Sequence, residues 1–323
     1  MKKGKISESS QRGWFEAHSA RFSGALLFNE PLARYTYYQI GGPAHIFAVP
    51  KSREDLQWLR NGIRETGIPF FILGKGSNLL ISDQGFPGLV IRTHQLNLEM
   101  SLITSADESF QFLRTGSSIA ISSLLRRAGD EGWAGLEFLT GVPGAVGGAI
   151  TMNAGTHLGE TQGALLRVEA YSMSPDPTEG MVLKIFDQPR IQFNYRKNLF
   201  LESGDLVWSA DWKIHKAEPS EVKACIDEAL RRRKATQPVD FPSCGSVFKN
   251  PKAAGLKAWE VIDRLGLRGH QVGMAQFSEK HPNFIINLGG AKAEDVLVLI
   301  RLAQSRAETE LGLILEEEVI FVQ

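Results

Sequence analysis

Residues 69–81 read Pro69-Phe70-Phe71-Ile72-Leu73-Gly74-Lys75-Gly76-Ser77-Asn78-Leu79-Leu80-Ile81. Pro69 starts a predicted strand, Phe70–Leu73, a glycine turn follows at 74–78, and apolar residues resume at Leu79–Ile81. Downstream come a turn at Asp83-Gln84-Gly85 and a strand at Leu89–Arg92. Upstream, Ala44–Val49 has strand character, and Ser52 opens a helix with Glu54 and Asp55 in its first turn, where carboxylates suit the exposed amides and the dipole. Leu56, Leu59 and Ile63 give that helix an apolar face and Gly67 ends it. The whole is a small β-α-β unit. Its glycine turn offers successive backbone N–H groups, which makes it either an anion nest or a plain hairpin turn. It lacks the third glycine of a dinucleotide fingerprint and the Gly-Lys-Ser/Thr ending of a Walker loop. A strand follows it, so no helix dipole would assist an anion there.

Outward from this unit, the middle third alternates strand and loop. Strands are predicted at Phe110–Arg114, Arg167–Met173, Val182–Phe186 and Leu206–Ile214. A helix is predicted at Ser118–Asp130 with Ile121, Leu124, Leu125 and Ala128 on one face. Gly132–Gly155 reads as too glycine-rich for regular structure. The last third predicts a charged helix Ser220–Arg233, a helix Leu256–Leu265, a strand Phe284–Asn287, a helix Ala293–Leu311 with Val296, Leu299, Ile300 and Ala303 inward, and a closing strand Leu315–Val322. That is an α+β unit. Residues 1–28 are polar and aperiodic and read as a loose N-terminal extension, with a short helix near Trp14 and Phe15.

The chain has 323 residues, 43% of them hydrophobic, enough for roughly two or three domains. Lys+Arg and Asp+Glu are equal at 36 each, so no global field draws in nucleic acid or an anionic membrane. The run Arg231-Arg232-Arg233-Lys234 falls on a predicted helix end and reads as a solvated face. The two cysteines, Cys225 and Cys244, make neither a metal spacing nor a disulfide framework and read as reduced thiols. Lys2, Lys3 and Lys5 are not followed by a continuous apolar stretch, which argues against a signal peptide. No run of about 18 apolar residues occurs. A cytoplasmic monomer with neither nucleic-acid nor membrane partner is expected.

Three further stretches carry chemistry. Residues 242–251 read Pro242-Ser243-Cys244-Gly245-Ser246-Val247-Phe248-Lys249-Asn250-Pro251. Two hydroxyls flank a glycine, a cation and an amide follow, and prolines stiffen both ends. Such a turn can deliver a proton or grip an anion; it can also be an ordinary serine turn. Gly135–Gly155 carries glycines at 141, 144, 147 and 148, which permit close approach to a flat or phosphorylated ligand or serve only tight packing. Two glycine loops in one chain suggest a dinucleotide. Arg196, after Tyr195, could fork onto a carboxylate. Glu316, Glu317 and Glu318 open the last predicted strand, with alternation placing Glu316 and Glu318 on one face. His281 has no second histidine at metal spacing, and no metal is expected.

In order along the chain these pieces resemble the UDP-N-acetylenolpyruvoylglucosamine reductases: Tyr38-Gln39-Ile40-Gly41-Gly42-Pro43, Leu73–Leu80, Gly135-Leu136-Glu137-Phe138, Gly141–Gly148, Met152-Asn153-Ala154-Gly155, Tyr195-Arg196, the serine turn and Leu315–Val319. The resemblance covers about residues 30–322 and is to the shorter, second subclass. Asn198, Thr156–Gly159 and Cys244 depart from the family's usual residues. The resemblance implies an α+β chain: a two-part FAD-binding region of the vanillyl-alcohol-oxidase (PCMH) type, residues 29–95 and 96–217, then an α+β substrate domain, 218–323. It implies that FAD takes hydride from NADPH and passes it to the enolpyruvyl group of a UDP-sugar. Ser246 would be the proton donor, with Arg196 and Glu318 stabilising the enol-like intermediate. Cofactor contacts fall on Gly41, Gly42, Gly74, Gly76, Ser77, Asn78, Val142, Pro143, Gly144, Gly147, Gly148, Asn153, Ala154 and Gly155, and substrate contacts on Tyr195, Gln237, Lys249, Asn250 and His281.

Overall fold

The computed structural model describes residues 8–104, 111–174, 181–251 and 255–323. The chain divides into two compact units, residues 1–28, 46–74 and 88–230 in the first and residues 29–45, 75–87 and 231–323 in the second.

In the first unit the helix Arg53–Thr66 starts as its sequence dictates. The Ser52 hydroxyl accepts the Asp55 N–H at 3.1 Å, and Gly67 closes the helix at φ 64°. Leu56, Leu59 and Ile63 are buried with Ile46, Ala48, Leu89 and Ile91. The strands run in the order Ala25–Pro31, Pro43–Val49, Phe86–Arg92, Phe70–Leu73, and the last two are parallel, with Phe70 opposite Leu89. The predicted β-α-β unit is present. The N-terminal stretch is not loose where it is described. The helix Glu8–Ala17 packs on Arg53–Thr66, Phe15 is fully buried edge-on to Trp58, and Ser23 donates both its N–H and its hydroxyl to Asp55 at 2.8 Å. Its few aromatic rings find a core partner that local polarity does not announce.

A five-stranded antiparallel sheet follows, in the order Leu183–Asp187, Leu165–Ser172, Asp205–Lys213, Gln111–Gly116, Met100–Thr104. One row across it aligns Ser101, Arg114, Asp211, Arg167 and Asp187. Arg114 forks onto Asp211 at 2.7 and 2.8 Å, and that bond holds the guanidinium pKa above its ordinary value against the opposing effect of burial. Leu113, Val168, Ala170, Phe186 and Trp212 alternate with this row and bury against Leu124 and Leu125 of the helix Ile121–Glu131. The helix begins three residues later than predicted because the Ser118 hydroxyl donates to the Thr93 carbonyl instead of entering the first turn. Gly132–Gly155 is less irregular than expected: Val146–Thr151 is a helix, with Val146, Ala149 and Ile150 at i, i+3, i+4 in the core. Phe110, expected to start a strand, lies outside the described residues.

In the second unit the helix Ala293–Leu311 buries Val296, Leu299, Ile300 and Ala303, the face read from the sequence, against Tyr38, Ile40, Leu80, Phe248, Val261 and Ile262. The strand expected at Leu315–Val322 forms only at Ile320–Val322, parallel to Leu79–Ile81. The acidic run ahead of it pairs elsewhere: Glu317 bridges Phe248, and the Glu316 carbonyl accepts the Lys249 N–H at 2.8 Å. Among the described residues no helix is long and apolar enough to cross a membrane.

Candidate active site

The serine turn of the second unit is built by its neighbours. Gly245 turns the chain at φ +86°. The Val247 N–H donates to the Asn283 carbonyl at 2.8 Å. The Asn283 carboxamide accepts the Phe248 N–H at 3.0 Å and donates to the Phe248 carbonyl at 2.8 Å. On the other side the Glu318 N–H donates to the Val247 carbonyl at 2.7 Å. Ser246 and Glu318, both half-buried, thus sit on two segments tied by that bond. Asn78 fastens the same place: its side chain donates to the Glu318 carbonyl at 3.0 Å, and its carbonyl accepts the Ile320 N–H at 3.0 Å. One end of the glycine turn and the acidic run therefore meet although 240 residues separate them.

Beneath the turn, Tyr38 is fully buried and its hydroxyl finds no oxygen or nitrogen partner among the described residues. It sits against the Cys244 thiol, which burial pushes up to about 12, with Tyr38 pulling the other way. Burial likewise raises the Tyr38 phenol. The Asn287 side chain donates to the Tyr38 carbonyl at 2.9 Å, and its N–H donates to the Pro242 carbonyl at 2.9 Å. The start of the turn and the Tyr38 backbone therefore share one clamp.

Other predicted substrate residues are placed as follows. Lys249 lies 3.4 Å from the Glu316 carboxylate, a rim pair worth little. The Asn250 side chain accepts the Ala258 N–H at 3.0 Å, at the start of the helix Ala258–Arg264. His281 stands edge-on to Phe284, and burial depresses its pKa. Its Nδ1 and the Gln237 Oε1 are buried without a partner among the described residues. Of the predicted cofactor glycines here, Gly76 has φ +66°, and a Cβ there would meet the Tyr35 carbonyl at 2.3 Å. At Gly42 a Cβ would meet the Asp83 carbonyl at 2.2 Å, and at Gly41 it would meet Ile81 at 3.0 Å. These three glycines are needed by the protein's own packing.

In the first unit the Gly141–Gly148 loop is laid down by backbone bonds. The Val142 N–H donates to Leu139, the Gly147 N–H to Ser117, and the Gly144 carbonyl, just after Pro143, accepts Ile121 N–H. A Cβ on Gly147 would lie 3.1 Å from Ser117, whereas Cβ atoms on Gly74 and Gly148 would meet nothing within 4 Å. Those two leave the open backbone that a flat cofactor could approach. Beside this loop, Tyr195 and Arg196 form the two-residue turn between the strands Phe193–Asn194 and Lys197–Asn198. Arg196 is held at φ +55°, a conformation that such turns normally give to glycine or asparagine. Its guanidinium donates to the carbonyls of Asn153 and Gly155 at 3.4 Å each and lies 5.1 Å from the Tyr195 ring centre. Asn153 itself is at φ +44°, and the Ala154 N–H donates to the Ala149 carbonyl at 2.8 Å. Two strained non-glycine residues in contact are the kind of outlier that marks a functional site. The sequence reading passed over Glu160, Asn283 and Asn287; Asn283, two residues beyond His281, had no local signal beyond the preceding proline.

An FAD-binding domain model matches residues 44–171, and a model of the UDP-N-acetylenolpyruvoylglucosamine reductase C-terminal domain matches residues 237–322. The UDP-N-acetylenolpyruvoylglucosamine reductase of Pelobacter propionicus is 38% identical over 299 residues, covering 93% of this chain and 96% of its own length. That of Geotalea uraniireducens is 39% identical over 303 residues, covering 94% and 96%. The chain belongs to the UDP-N-acetylenolpyruvoylglucosamine reductase family. The crystal structure of the family's reductase from Thermus caldophilus matches with a TM-score of 0.74 at 34% identity, covering 93% of this chain and 99% of that one. The fold is the α+β class expected, an FAD-binding region followed by an α+β C-terminal domain. The reductase C-terminal match contains Ser246 and Glu318, and the FAD-binding match contains Gly74, Gly148 and Asn153. As a reductase-family member the chain is an FAD-domain oxidoreductase.

Proposed function

We propose that this protein uses NADPH to reduce the enolpyruvyl double bond of UDP-N-acetylenolpyruvoylglucosamine, giving UDP-N-acetylmuramate for peptidoglycan precursor synthesis, and that it works as a cytoplasmic monomer. The observation that carries the reading is the bond from the Glu318 amide to the Val247 carbonyl, 2.7 Å, which ties the segment bearing Ser246 to the segment bearing Glu318. Protonating a substrate carbon calls for a donor, which neither mere nucleotide binding nor the passing of electrons to oxygen requires.

FAD, when bound, supplies the relay that takes hydride from NADPH and adds it to C3 of the alkene. The open backbone at Gly74 and Gly148 fits an approaching ring system or pyrophosphate. By resemblance Gly41, Gly42, Gly76, Ser77, Asn78, Val142, Pro143, Gly144, Gly147, Asn153, Ala154 and Gly155 complete that region, within residues 29–95 and 96–217. Residues 218–323 would take the sugar nucleotide, with Gln237, Lys249, Asn250 and His281 as contacts, and Tyr195 from outside that range.

The chain's own work is acid and charge. Ser246 delivers a proton to C2, completing addition of one hydrogen at each alkene carbon. A serine hydroxyl is a weak acid, so the donation relies on a basic carbanion-like acceptor and on partial exclusion of water around the half-buried turn. Arg196 balances the negative charge that spreads into the substrate carboxylate. Glu318 shares a proton with that carboxylate system, since a bare second carboxylate would repel it.

Stopped-flow spectroscopy of the anaerobic holoenzyme tests this. Protein pre-reduced with NADPH should be reoxidised on mixing with the enolpyruvyl sugar nucleotide and hardly at all by oxygen in the same time. Ser246→Ala should keep NADPH reduction and slow reoxidation by roughly 10²–10⁴-fold, the usual scale of general acid catalysis, and Ser246→Cys should recover part of it. Reoxidation of Ser246→Ala at the parent rate, with Ser243→Ala slowed, would move the acid to Ser243.

A further inference from the structure

We infer that Glu160 is a positioning residue for Arg196, acting through Asn153 and through its own place opposite Gly155. The inference rests on the functional reading above, in which Arg196 meets the substrate carboxylate. Of the two backbone carbonyls that receive the Arg196 guanidinium, one belongs to Asn153, whose side chain Glu160 holds, and the other to Gly155, the residue opposite Glu160. Glu160 is the ladder partner of Gly155 in the short hairpin Gly155–Thr156 with Gly159–Glu160. A Cβ at Gly155 would stand 2.3 Å from the Gly159 carbonyl and 2.7 Å from the Glu160 Cα, so that pairing is possible only with glycine there. The Glu160 carboxylate also accepts the Asn153 Nδ2–H at 2.9 Å.

Asn153 is 1% exposed, so its amide must be satisfied from within. Its Oδ1 accepts the Gln162 N–H at 3.1 Å, and its Nδ2 also reaches the Asn194 carbonyl at 3.4 Å. These bonds lock the side chain and with it the φ +44° backbone, which an asparagine tolerates but does not prefer. Remove the carboxylate and the shortest of the Nδ2 bonds goes, the strained peptide can relax, and the carbonyl under the guanidinium turns. Arg196, itself at φ +55° in a tight turn, is directed by its two bonds to those carbonyls. The carboxylate therefore acts at one remove, through hydrogen bonds whose acceptor can be an amide oxygen as well as a carboxylate.

That last point separates positioning from charge and from bulk. Calorimetric titration of the holoenzyme with UDP-N-acetylmuramate, which carries the carboxylate, and with UDP, which does not, reads the aim of Arg196 without turnover. Glu160→Leu should weaken UDP-N-acetylmuramate about tenfold, the scale of one charge-assisted hydrogen bond misplaced, and leave UDP unchanged. Glu160→Gln, which still accepts from Asn153, should stay within about threefold of the parent by the same reasoning. In an Arg196→Lys background Glu160→Leu should add no further loss, because the two act in series. Parent-like affinity for UDP-N-acetylmuramate in Glu160→Leu, or an equal loss for UDP, would overturn the inference. So would failure of Glu160→Leu and Glu160→Ser to fold while Glu160→Gln folds, since the residue would then serve stability alone. A parent protein that binds neither ligand would overturn the functional reading and this inference with it; one that binds both leaves only the variants to decide.

Discussion

Asn283 grips Phe248 from both sides, its carboxamide oxygen taking the Phe248 N–H at 3.0 Å and its nitrogen giving to the Phe248 carbonyl at 2.8 Å. Both residues are buried, and Ser246 lies two residues before Phe248. Asn283→Ala should leave two buried backbone groups unpaired at about 1–3 kcal/mol each. Differential scanning calorimetry should show a fall of several degrees, at about 2–4 °C per kcal/mol for a chain of this class. The folded fraction should also reoxidise slowly with the sugar nucleotide, because the turn carrying Ser246, the proposed proton donor, loosens. An unchanged melting temperature would remove Asn283 from the architecture of the turn.

Cofactor retention should separate Gly148 from Gly147. A side chain at Gly148 meets no protein atom within 4 Å, whereas at Gly147 it meets Ser117 at 3.1 Å. Gly148→Val should therefore emerge folded with weak flavin absorbance. Gly147→Val and Gly76→Val should lose thermal stability, since at Gly76 the clash is with the chain's own Tyr35 carbonyl at 2.3 Å. Full flavin absorbance in folded Gly148→Val would deny that this backbone faces the cofactor.

Alkaline stability should follow the buried pair under the serine turn. The Cys244 thiol is raised from 9.0 to about 12 in the folded chain, so between those values the unfolded state has released a proton that the native state keeps. Stability then falls as pH rises through that window, by about 1.4 kcal/mol per pH unit for one such group. Tyr38, raised by the same burial, steepens the fall above its ordinary value of 10.0. Urea titrations at pH 8, 9.5 and 10.5 should show the decline, and Cys244→Ala should flatten its first part. Labelling with a disulfide reagent at pH 8 should reach the exposed Cys225 and leave Cys244 intact until the protein is unfolded.

Asp83 caps the helix Ala293–Leu311 across 210 residues, its carboxylate accepting the Ala293 N–H at 2.8 Å and the Glu294 N–H at 3.2 Å. Asp83→Ala should cost about 1–2 kcal/mol, the range for a lost N-terminal cap. Asp83→Asn, which keeps an acceptor, should cost less. Thermal unfolding at neutral pH distinguishes them, and equal loss in both would mean that the charge at the helix dipole matters more than the hydrogen bonds.

Elements whose cause is local could be read from residue order. Arg53–Thr66 announces itself through Ser52, Leu56, Leu59, Ile63 and Gly67, and Ala293–Leu311 through one apolar stripe, because a helix repeats every 3.6 residues whatever surrounds it. Short contiguous motifs did the same for the serine turn and the glycine loops. Local signals failed where long-range partners set the outcome. Glu316–Glu318 alternates like a strand, yet only Ile320–Val322 joins Leu79–Ile81, because the acidic run pairs with Phe248 and Lys249 instead. The short helix expected near Trp14 and Phe15 forms, but that Phe15 joins the first core beside Trp58 is set by tertiary partners. Sequence marks Gly76 and Gly147 as cofactor glycines, and only the tertiary structure shows that the Tyr35 carbonyl and Ser117 also leave no free room for a side chain there. Residue order thus carried the candidates Ser246, Arg196 and Glu318 and the rhythm of the helices. Tertiary structure alone decided which carbonyl each polar side chain meets. Asn78 reaches Glu318 across 240 residues and Asn287 reaches Tyr38 across 249, and a hydrogen bond acts over about 3 Å of space, not along the chain.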